Sequence, residues 1–358
     1  MYVHVGLWLG MHGASVLMRA PARFAVQQRY RHKSWAPPDG LSSMTRHRLL
    51  GLLLLGALGT IVGLTLSRGA SGDPRPPSTT GPVAPAVGAS HAPATAGPAP
   101  VHPWGPSPTA ERLDARFASP PRGFTRVPLA PHSFGAFLRA LPLAPAGAPV
   151  VDFAGRPLYD EGRHPNIVAV ADLDVGTKDL QHCADVIIRL DAEWRYGLGK
   201  RDMSYRAVSG TPLPYRSYVA GDRAVLDHGN LVLRRAAPAK RDTHALFREY
   251  LDVVFAWAGT ASLERDAKKV PMSDLRPGDF FVLTGRPFGH AVLVLDVAKD
   301  ASGRLALLLG QSFMPAQTFQ VLQPSGASSP WFVVGPTDTH VTTPFWSPFP
   351  VTALRRLP

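Results

Sequence analysis

The sequence predicts an α+β fold for residues 110–358, and three observations lead to this fold class. Two long segments repeat apolar residues at helical spacing. Three short apolar runs, separated by turn residues, follow those segments along the chain. Helices that precede an antiparallel run of strands are typical of the α+β class rather than of an alternating parallel sheet.

Three helices are expected. A short helix follows Ser133, whose hydroxyl is suited to an N-cap. Residues 179–196 carry an apolar stripe at helical spacing, and either Thr177 or Asp179 is the expected N-cap of that helix. Residues 243–263 have the same periodicity and predict one further long helix. These helices supply one side of the predicted core.

The strands are expected from apolar runs of lengths typical of strands. Residues 166–175 predict a strand before the Cys-containing helix. Residues 280–283, 291–297 and 305–309 predict three more, and residues 300–303 form a hairpin loop between the last two. The three consecutive strands therefore predict an antiparallel meander.

The N-terminal part of the chain has a different character. Residues 1–48 are a basic segment, in which Met44 is a hypothetical alternative start. Residues 49–66 are uncharged and almost wholly apolar, which predicts a signal anchor or a signal peptide. Arg68 would occupy the −3 position of a cleavage site after Ala70, so we favour an uncleaved anchor. The protein is expected to contact the membrane through this helix.

Residues 67–109 are rich in Pro and Ala, with Gly, Ser and Thr, and are expected to be a disordered linker. Residues 110–358 are then one globular domain. Basic residues before the apolar run follow the positive-inside rule, so the linker and domain are expected on the exterior or periplasmic side of the inner membrane. Membrane-anchored and secreted forms both fit this topology.

The net charge of +12 invites a nucleic-acid interpretation, but the distribution of charge argues against it. Nine Lys or Arg residues and only two Asp residues precede residue 110. More than half of the excess therefore belongs to the N-terminal arm and linker. The domain has no basic run interleaved with aromatics, so no nucleic-acid partner is expected.

Cofactors and metals are not expected either. The single cysteine, Cys183, excludes an intramolecular disulfide and a paired-cysteine metal site. No H-x-x-x-H pattern occurs, and no Gly-rich turn between a strand and a helix suggests a nucleotide.

Three residues suggest nucleophilic chemistry. Cys183 is expected one turn inside the start of its helix, where the amides of the helix N-terminus favour a thiolate. His290 opens one predicted strand and Gln311 ends the next. Cysteine hydrolases need a helix-borne thiolate, an imidazole that faces it and a polar group that orients the imidazole. Cys183, His290 and Gln311 are therefore the candidate catalytic residues.

Structural alternatives remain open for each of the three residues. A lone cysteine on an apolar helix face is often a small core residue, a histidine at a strand start can be a turn residue, and Gln311 can cap a strand edge. His182 is a weaker candidate base because its side chain points about 100° away from that of Cys183. Asp279 is expected to bond turn amides.

Other residues have expected structural roles. Asp185 lies on a different helix face from Cys183 and is interpreted as structural or as a partner for a loop. Asp296 lies six residues along the strand from His290, too far to orient its ring. Trp331, Phe332 and Trp346 can line a pocket wall or pack in the core.

Residues 276–283 (RPGDFFVL) and 289–294 (GHAVLV) resemble the papain-like cell-wall hydrolases of the NlpC and CHAP types. The resemblance implies a papain-like core in which Cys183 is the nucleophile, His290 the base and Gln311 the orienting residue. It also implies a large insertion between Cys183 and the Pro-Gly-Asp turn. Residues 203–233 of that insertion are rich in Tyr and Arg and are a candidate lid or substrate wall.

A second resemblance extends over most of the domain. Residues 179–185 (DLQHCAD), 255–263 (FAWAGTASL), 311–317 (QSFMPAQ) and 329–331 (SPW), with the Pro-Gly-Asp and Gly-His-Ala motifs, are similar to a bacterial family known only as domain of unknown function 4846. Members of that family are exported, often as lipoproteins. The resemblance implies export but no activity.

Together these observations predict an exported cell-envelope protein that acts as a thiol hydrolase, a peptidase or amidase, on cell-wall peptide or amide bonds. Its expected partner is cell-wall peptide or peptidoglycan. The alternative is a non-catalytic envelope module that binds peptidoglycan or a protein partner. That module would keep the fold but would use Cys183 as a core residue.

Overall fold

The helices and strands lie in residues 102–358, the part of the chain that the computed structural model describes. The predicted segments 1–48 and 49–66 and most of the predicted linker 67–109 lie outside the described residues. The helices are α1 Leu113–Arg116, α2 Phe134–Arg139, α3 Cys183–Gly197, α4 Tyr215–Ala220, α5 His244–Trp257 and α6 Thr260–Asp266, with short 3-10 turns at Met272–Asp274 and Val351–Ala353.

The strands are short except for two that cross the centre of the domain. They are β1 Glu111–Arg112, β2 Thr125–Arg126, β3 Pro142–Leu143, β4 Ile167–Val170, β5 Ser204–Arg206, β6 Pro212–Pro214, β7 Asp222–Asp227, β8 Asn230–Arg235, β9 Lys268–Lys269, β10 Phe280–Leu283, β11 His290–Lys299, β12 Leu305–Gln311, β13 Gln320–Leu322, β14 Phe332–Val334, β15 His340–Val341, β16 Phe349–Pro350 and β17 Leu354–Arg356.

In the described part of the chain, nine strands form one antiparallel sheet with the order β4-β13-β12-β11-β10-β17-β9. Strand β14 also pairs with β12, and β2 pairs with β11. The predicted meander of β10, β11 and β12 is confirmed, with Phe280 opposite Leu293 and Leu293 opposite Gly310. Helices on an antiparallel sheet confirm the α+β class.

Strand β11 is buried on both faces, which explains its continuous apolar sequence. Leu293 and Leu295 pack into a core cluster shared with α3 and α5, whereas Val292 and Val294 pack into a second cluster on the other face. A register shift between Val294 and Asp296 interrupts this alternation. The two clusters make β11 the centre of the domain, and its first residue is His290.

Helix α3 lies in the interior, since every residue from Cys183 to Glu193 is buried. Its charged side chains are paired rather than exposed. The guanidinium of Arg189, which is 0% exposed, donates to the side chain of Gln181 at 2.7 Å and pairs with Asp174. Buried charges require such partners, and these bind α3 to the segment that precedes it.

The single long helix predicted for residues 243–263 is wrong, because the helix is broken between α5 and α6. Ala258 is extended, with ψ of 179°, and Gly259 is followed by a new helix. The break has local partners: the amide of Gly259 donates to Ser262 Oγ at 2.8 Å. Thr260, the first residue of α6, thereby lies beside the start of β11.

The predicted Ser133 cap is confirmed, since its hydroxyl accepts a hydrogen bond from the amide of Ala136 at 3.2 Å. At the other end of α2, Arg139 pairs with Asp296 on β11. The predicted strand 166–175 is shorter than expected and spans Ile167–Val170. The hairpin loop at 300–303 is confirmed by the bond from the Gly303 amide to the Asp300 carbonyl.

The segment between α3 and α5 packs on the helices. Tyr205 and Tyr215 are 4% and 0% exposed and belong to the main core cluster. The hydroxyl of Tyr205 donates to Asp191 on α3 at 2.7 Å. These two tyrosines of the candidate lid or substrate wall are therefore core residues.

Two further observations concern the N-terminal side of the domain. Trp104, which precedes β1, donates from its indole nitrogen to the carbonyl of Asp172 at 2.7 Å. Its ring also contacts Phe137 on α2. None of the helices in residues 102–358 is long and apolar enough to span a bilayer.

Candidate functional site

Cys183 is the first residue of α3, and His182 is the N-cap. The expected N-cap at Thr177 or Asp179, one turn upstream, is wrong. The carboxylate of Asp179 accepts instead from the amide of Ala316 at 2.8 Å and contacts His182, so residues 177–182 form a turn. Cys183 consequently lies directly at the helix N-terminus, where the free amides of the first turn are concentrated.

Two carboxylates hold the start of α3. Asp185 accepts a hydrogen bond from the backbone amide of His182 at 3.1 Å. The ring of His182 lies between Asp179, at 2.9 Å from Nε2, and Asp185, at 3.5 Å from Nδ1. Burial alone would lower the pKa of His182, but its hydrogen bonds to both carboxylates and their charges outweigh burial and raise it. The expectation that Asp185 is structural is confirmed.

Gly289 joins the Cys183 segment to the start of β11. Its carbonyl oxygen lies 4.0 Å from Cys183 Sγ. A β-carbon at this position would meet the carbonyl oxygen of Leu283 at 2.3 Å and Thr260 Oγ1 at 2.6 Å. Only glycine allows so close an approach, and the next residue is His290.

His290 begins β11 and is 1% exposed. Its Nε2 lies 2.8 Å from Oε1 of Gln311, the last residue of β12. Burial lowers the pKa of His290 to about 4, although the bond to Gln311 acts in the opposite direction. The ring is therefore neutral at pH 7, with Gln311 as a neutral orienting partner.

The Cys183 segment and the end of β12 are joined directly. Ser312 Oγ donates to the carbonyl of Gln181 at 3.3 Å, and the Ala316 amide donates to Asp179. These bonds position the N-terminus of α3 beside the segment that follows Gln311. The structure thus brings the three predicted site residues into one region. The sulfur of Cys183 contacts the carbonyl of Gly289, the residue before His290, and the amide of Gln311 contacts the ring of His290.

Aromatic rings surround His290. Its ring centroid lies 4.8 Å from that of Phe313, 5.0 Å from that of Trp346 and 6.1 Å from that of Phe349. Of the three aromatic residues singled out in the sequence, Trp346 is the one beside the site. Trp331 and Phe332 are 3% and 4% exposed and pack in the two core clusters.

Trp346 belongs to a loop, residues 342–348, that we call the covering loop. It is closed at its base by the two-residue pairing of β15 with β16. Residues 344–345 of this loop form a turn, and the buried Thr343 Oγ1 has no hydrogen-bond partner among the described residues. The ring of Trp346 packs this loop against His290.

The aspartates outside the site have structural partners, as expected. Asp279 accepts from the backbone amide of Arg276 at 3.0 Å and from Arg356 Nε at 2.6 Å. Asp296 is fully buried and pairs with Arg139 at 2.5 Å and Arg126 at 2.7 Å. Neither carboxylate orients His290.

Two surface grooves lie apart from the three candidate catalytic residues. One of about 430 Å³ is lined by Phe134, Trp194 and the C-terminal Pro358, and one of about 490 Å³ by His164 and neighbouring residues. Neither is lined by Cys183, His290 or Gln311. Among residues 102–358, no three His, Cys, Asp or Glu side chains are arranged to hold a metal ion.

Sequence reasoning missed several residues that shape this region. Gln317 and Gln320 are 2% and 0% exposed, and Gln320 lies within 3.5 Å of Gln311. Two glutamines three residues apart are too few to form a periodic pattern, so nothing in the sequence indicated their role. Gly289 was noticed only as part of the Gly-His motif.

Comparisons with known proteins bear on the family alone. No curated protein and no solved structure matches the chain. Residues 113–356 match the family described as domain of unknown function (4846), and this match covers more than half of the sequence. The chain therefore belongs to the domain of unknown function 4846 family.

Proposed function

We propose that this protein is a thiol hydrolase with a papain-like core, which cleaves peptide or amide bonds of the cell wall. In this proposal Cys183 is the nucleophile, His290 the general base and Gln311 the residue that orients the imidazole. The apolar segment 49–66 exports or anchors the domain on the exterior or periplasmic side of the membrane.

One observation carries the proposal. A cysteine at a helix N-terminus lies 4.0 Å from the carbonyl of Gly289, and the next residue, His290, is held by Gln311 through Nε2 at 2.8 Å. The order of the elements also agrees with a papain-like core: a Cys-bearing helix, then an antiparallel sheet with the histidine at a strand start. Nucleophile, base and orienting group are the three parts that thiol catalysis requires.

The bond to Gln311 assigns the roles of the two ring nitrogens. Because Gln311 Oε1 accepts, Nε2 carries the proton of the neutral ring and Nδ1 is the basic nitrogen. The thiol proton of Cys183 moves to Nδ1 as the sulfur attacks the substrate carbonyl carbon. The C–N bond then breaks, the amine leaves with the proton from Nδ1, and a thioester remains. Water hydrolyses the thioester, which releases a carboxylic acid and restores the thiol.

The surroundings of Cys183 favour negative charge on sulfur. The first-turn amides of α3 point toward the N-terminus of the helix, where they stabilise an anion. The adjacent His182 has a raised pKa because of Asp179 and Asp185, and its positive charge offsets part of the negative charge of these two carboxylates beside Cys183. The neutral His290 can then accept the proton that the thiol loses.

The choice of cell-wall substrates rests on location. A domain that follows an export or anchor segment and a Pro/Ala-rich linker is held near the cell wall. Peptidoglycan contains the peptide and amide bonds that acyl transfer through a thioester can cleave. Wall fragments are therefore the first substrates to test.

A second candidate function is a non-catalytic module that binds peptidoglycan or an envelope protein. One observation favours it: Cys183 is 6% exposed and His290 is 1% exposed. A catalytic pair must meet its substrate, whereas core residues need no access. In this alternative Cys183 is a packing residue, and the protein has the fold of the hydrolase without its catalytic site.

The alkylation rate of Cys183 against pH separates the two candidates. Iodoacetamide is added to the full-length protein and to its His290→Ala variant, and loss of the single thiol is followed by mass spectrometry. For the hydrolase we expect the rate to rise with a midpoint below about 8.5, the value of a free thiol. In the His290→Ala variant the rate at pH 7 should fall, because the neutral imidazole that accepts the thiol proton is missing.

Two outcomes would count against the hydrolase. A thiol that reacts only when the protein unfolds would identify Cys183 as a core residue and favour the binding module. A reactive thiol with the same rate at pH 7 in both proteins would remove His290 from the mechanism. If the dyad behaves as expected, release of new amino groups from purified wall fragments, absent in Cys183→Ala, tests the reaction itself.

A further inference from the structure

The amide of Gln311 is connected to two buried glutamines that have no role in the proposed mechanism. Gln317 is 2% exposed and Gln320 is 0% exposed. Burying a primary amide costs free energy unless each of its polar atoms finds a partner. These two side chains therefore have partners that determine which way each amide points.

The side-chain amides of Gln317, Gln320 and Gln311 form a chain of hydrogen bonds, which we call the line of amides. Gln317 Nε2 donates to the backbone carbonyl of Pro315 at 3.1 Å. Gln320 Nε2 donates to Gln317 Oε1 at 2.6 Å, and Gln311 Nε2 donates to Gln320 Oε1 at 3.5 Å. At the end of the line, Gln311 Oε1 faces Nε2 of His290 at 2.8 Å.

The direction of this line follows from its first bond. A backbone carbonyl can only accept, so the amide nitrogen of Gln317 must face Pro315 and its oxygen must face Gln320. Gln320 then presents its nitrogen to Gln317 and its oxygen to Gln311. Gln311 must in turn present its oxygen to His290. A flipped amide anywhere in the line would bring two oxygens or two nitrogens together.

Tyr159 reinforces the same direction. Its hydroxyl donates to Gln317 Oε1 at 3.2 Å. Burial of the phenol raises the pKa of Tyr159 to about 12, so the hydroxyl remains a donor at physiological pH. The Gln317 oxygen thus has two donors, Tyr159 and Gln320, and a flip would leave the amide of Gln320, which is 0% exposed, without an acceptor.

We propose that Gln317 and Gln320 are positioning residues that fix the tautomer of His290 through Gln311. The line of amides forces Gln311 to accept, which keeps the ring proton on Nε2 and leaves Nδ1 as the basic nitrogen. This inference rests on the proposed function, because a basic Nδ1 matters to catalysis only if Cys183 gives up its proton. It adds a directed network, anchored at the Pro315 carbonyl, to the three residues of the site.

The use of amides instead of carboxylates has a physical consequence. A carboxylate at position 311 would also accept from Nε2, but its charge would raise the pKa of the buried ring. An amide orients the ring without charging it, in agreement with the lowered pKa of His290. An amide, unlike a carboxylate, can present the wrong atom, and the line through Gln320 prevents this.

The tautomer can be measured directly by nitrogen NMR. The full-length protein is labelled with 15N only at histidine, and the His290 signals are identified by their loss in His290→Gln. Long-range correlations from the ring protons then show which nitrogen carries the proton. We expect Nε2–H in the wild type at pH 7. A wild-type ring protonated on Nδ1 would overturn the proposal without any further variant.

The variants test the line of amides. In Gln320→Met the contact to Gln311 is lost, so a second population with the proton on Nδ1 should appear. Gln320→Glu provides the conservative rescue: its protonated carboxyl can donate to Gln317 and accept from Gln311, so the Nε2–H form should be retained. The matched control is Gln323→Met, three residues further along, since Gln323 Nε2 bonds the Ala327 carbonyl and lies outside the line.

The outcomes separate this proposal from the proposed function. An unchanged tautomer in a folded Gln320→Met protein would refute the positioning role, whatever the reactivity of Cys183. A shifted tautomer with an inert Cys183 would retain the positioning role and refute the hydrolase. If Gln320→Met does not fold, Gln317→Met removes the anchor at Pro315 and should produce the same second population.

Discussion

The ring of His290 and the amide of Gln311 meet in the interior of the domain, with Nε2 2.8 Å from Oε1 and both residues 1% exposed. A neutral amide can form a hydrogen bond with a neutral imidazole, so this buried pair needs no counter-charge. Since burial lowers the pKa of His290 to about 4, the folded protein resists protonation of this ring. The unfolded chain, with a pKa of about 6.5 for histidine, does not.

Acidification should therefore destabilise the fold through His290. Between pH 6.5 and pH 4 the unfolded chain binds a proton that the folded protein does not, so stability is present above pH 6.5 and is lost as the pH falls toward 4. The contribution of His290 is about 2 kcal/mol between pH 7.5 and pH 5. Urea unfolding of the Cys183→Ala protein, with and without His290→Gln, at both pH values measures it.

The comparison of the two proteins isolates His290 from other histidines. His102 has a pKa lowered to about 4 by burial and acts in the same direction, whereas His182 has a raised pKa and acts in the opposite one. Both remain in the variant and cancel in the difference. Cys183, the titratable neighbour, is replaced by alanine in both proteins. An equal loss of stability in the two would contradict a buried neutral ring.

Gly289→Ala should destabilise the protein and displace His290. The new β-carbon would lie 2.3 Å from the Leu283 carbonyl and 2.6 Å from Thr260 Oγ1, so the backbone must shift. Overpacking of this kind costs about 1–3 kcal/mol. Gly335→Ala is the matched control, because its nearest contact would be an ordinary 3.5 Å to Asp338. Urea unfolding that ranks the two variants equally would contradict the close approach at Gly289.

Asp296→Asn should lower stability without changing the chemistry of Cys183. Its side chain is 0% exposed and is paired with both Arg126 and Arg139. Leaving those cations uncompensated costs about 3–5 kcal/mol. Asp114→Asn, which breaks a surface pair with Arg112, should cost less than about 1 kcal/mol. A changed alkylation profile in the folded Asp296→Asn protein would contradict its purely structural role.

Trp346→Ala should accelerate alkylation of Cys183 about tenfold, the effect of about 1.4 kcal/mol on an opening equilibrium. The indole packs against His290, so its removal takes away the ring contact between the covering loop and His290. Trp194→Ala removes a half-buried tryptophan near the other end of α3, about three turns from Cys183 and without contact to the covering loop; it is the control and should leave the rate unchanged.

The urea dependence of alkylation tells local opening from unfolding. If the covering loop opens locally, the rate at low urea is nearly independent of urea concentration. If Trp346→Ala merely destabilises the fold, the rate rises steeply with urea and follows the global unfolding equilibrium. The second pattern would show that the loop does not control access to Cys183.

Sequence patterns were informative where structure is local. The meander β10–β11–β12 followed from apolar runs and turn residues, and Ser133 followed from its capping chemistry. His290 and Gln311 occupy a strand start and a strand end, which periodicity can predict. Their pairing needed only the antiparallel order of β11 and β12.

Long-range contacts account for the errors and omissions. Asp179 does not cap α3, because its carboxylate accepts a hydrogen bond from the amide of Ala316, which lies far along the chain. The roles of Gln317 and Gln320 depend on a fold that brings the segment after β12 back to Tyr159. No single-sequence pattern indicated that the covering loop would lie over His290, because its residues form neither a helix nor a strand.

The burial of Cys183 also has a redox consequence. It is the chain's only cysteine, so any disulfide must join it to a second molecule. Because Cys183 is only 6% exposed in each copy, the sulfurs of two folded chains cannot approach each other to the roughly 2 Å that a disulfide requires. Native protein in an oxidising medium therefore remains unlinked, and crosslinked dimers on a non-reducing gel report chains that have unfolded.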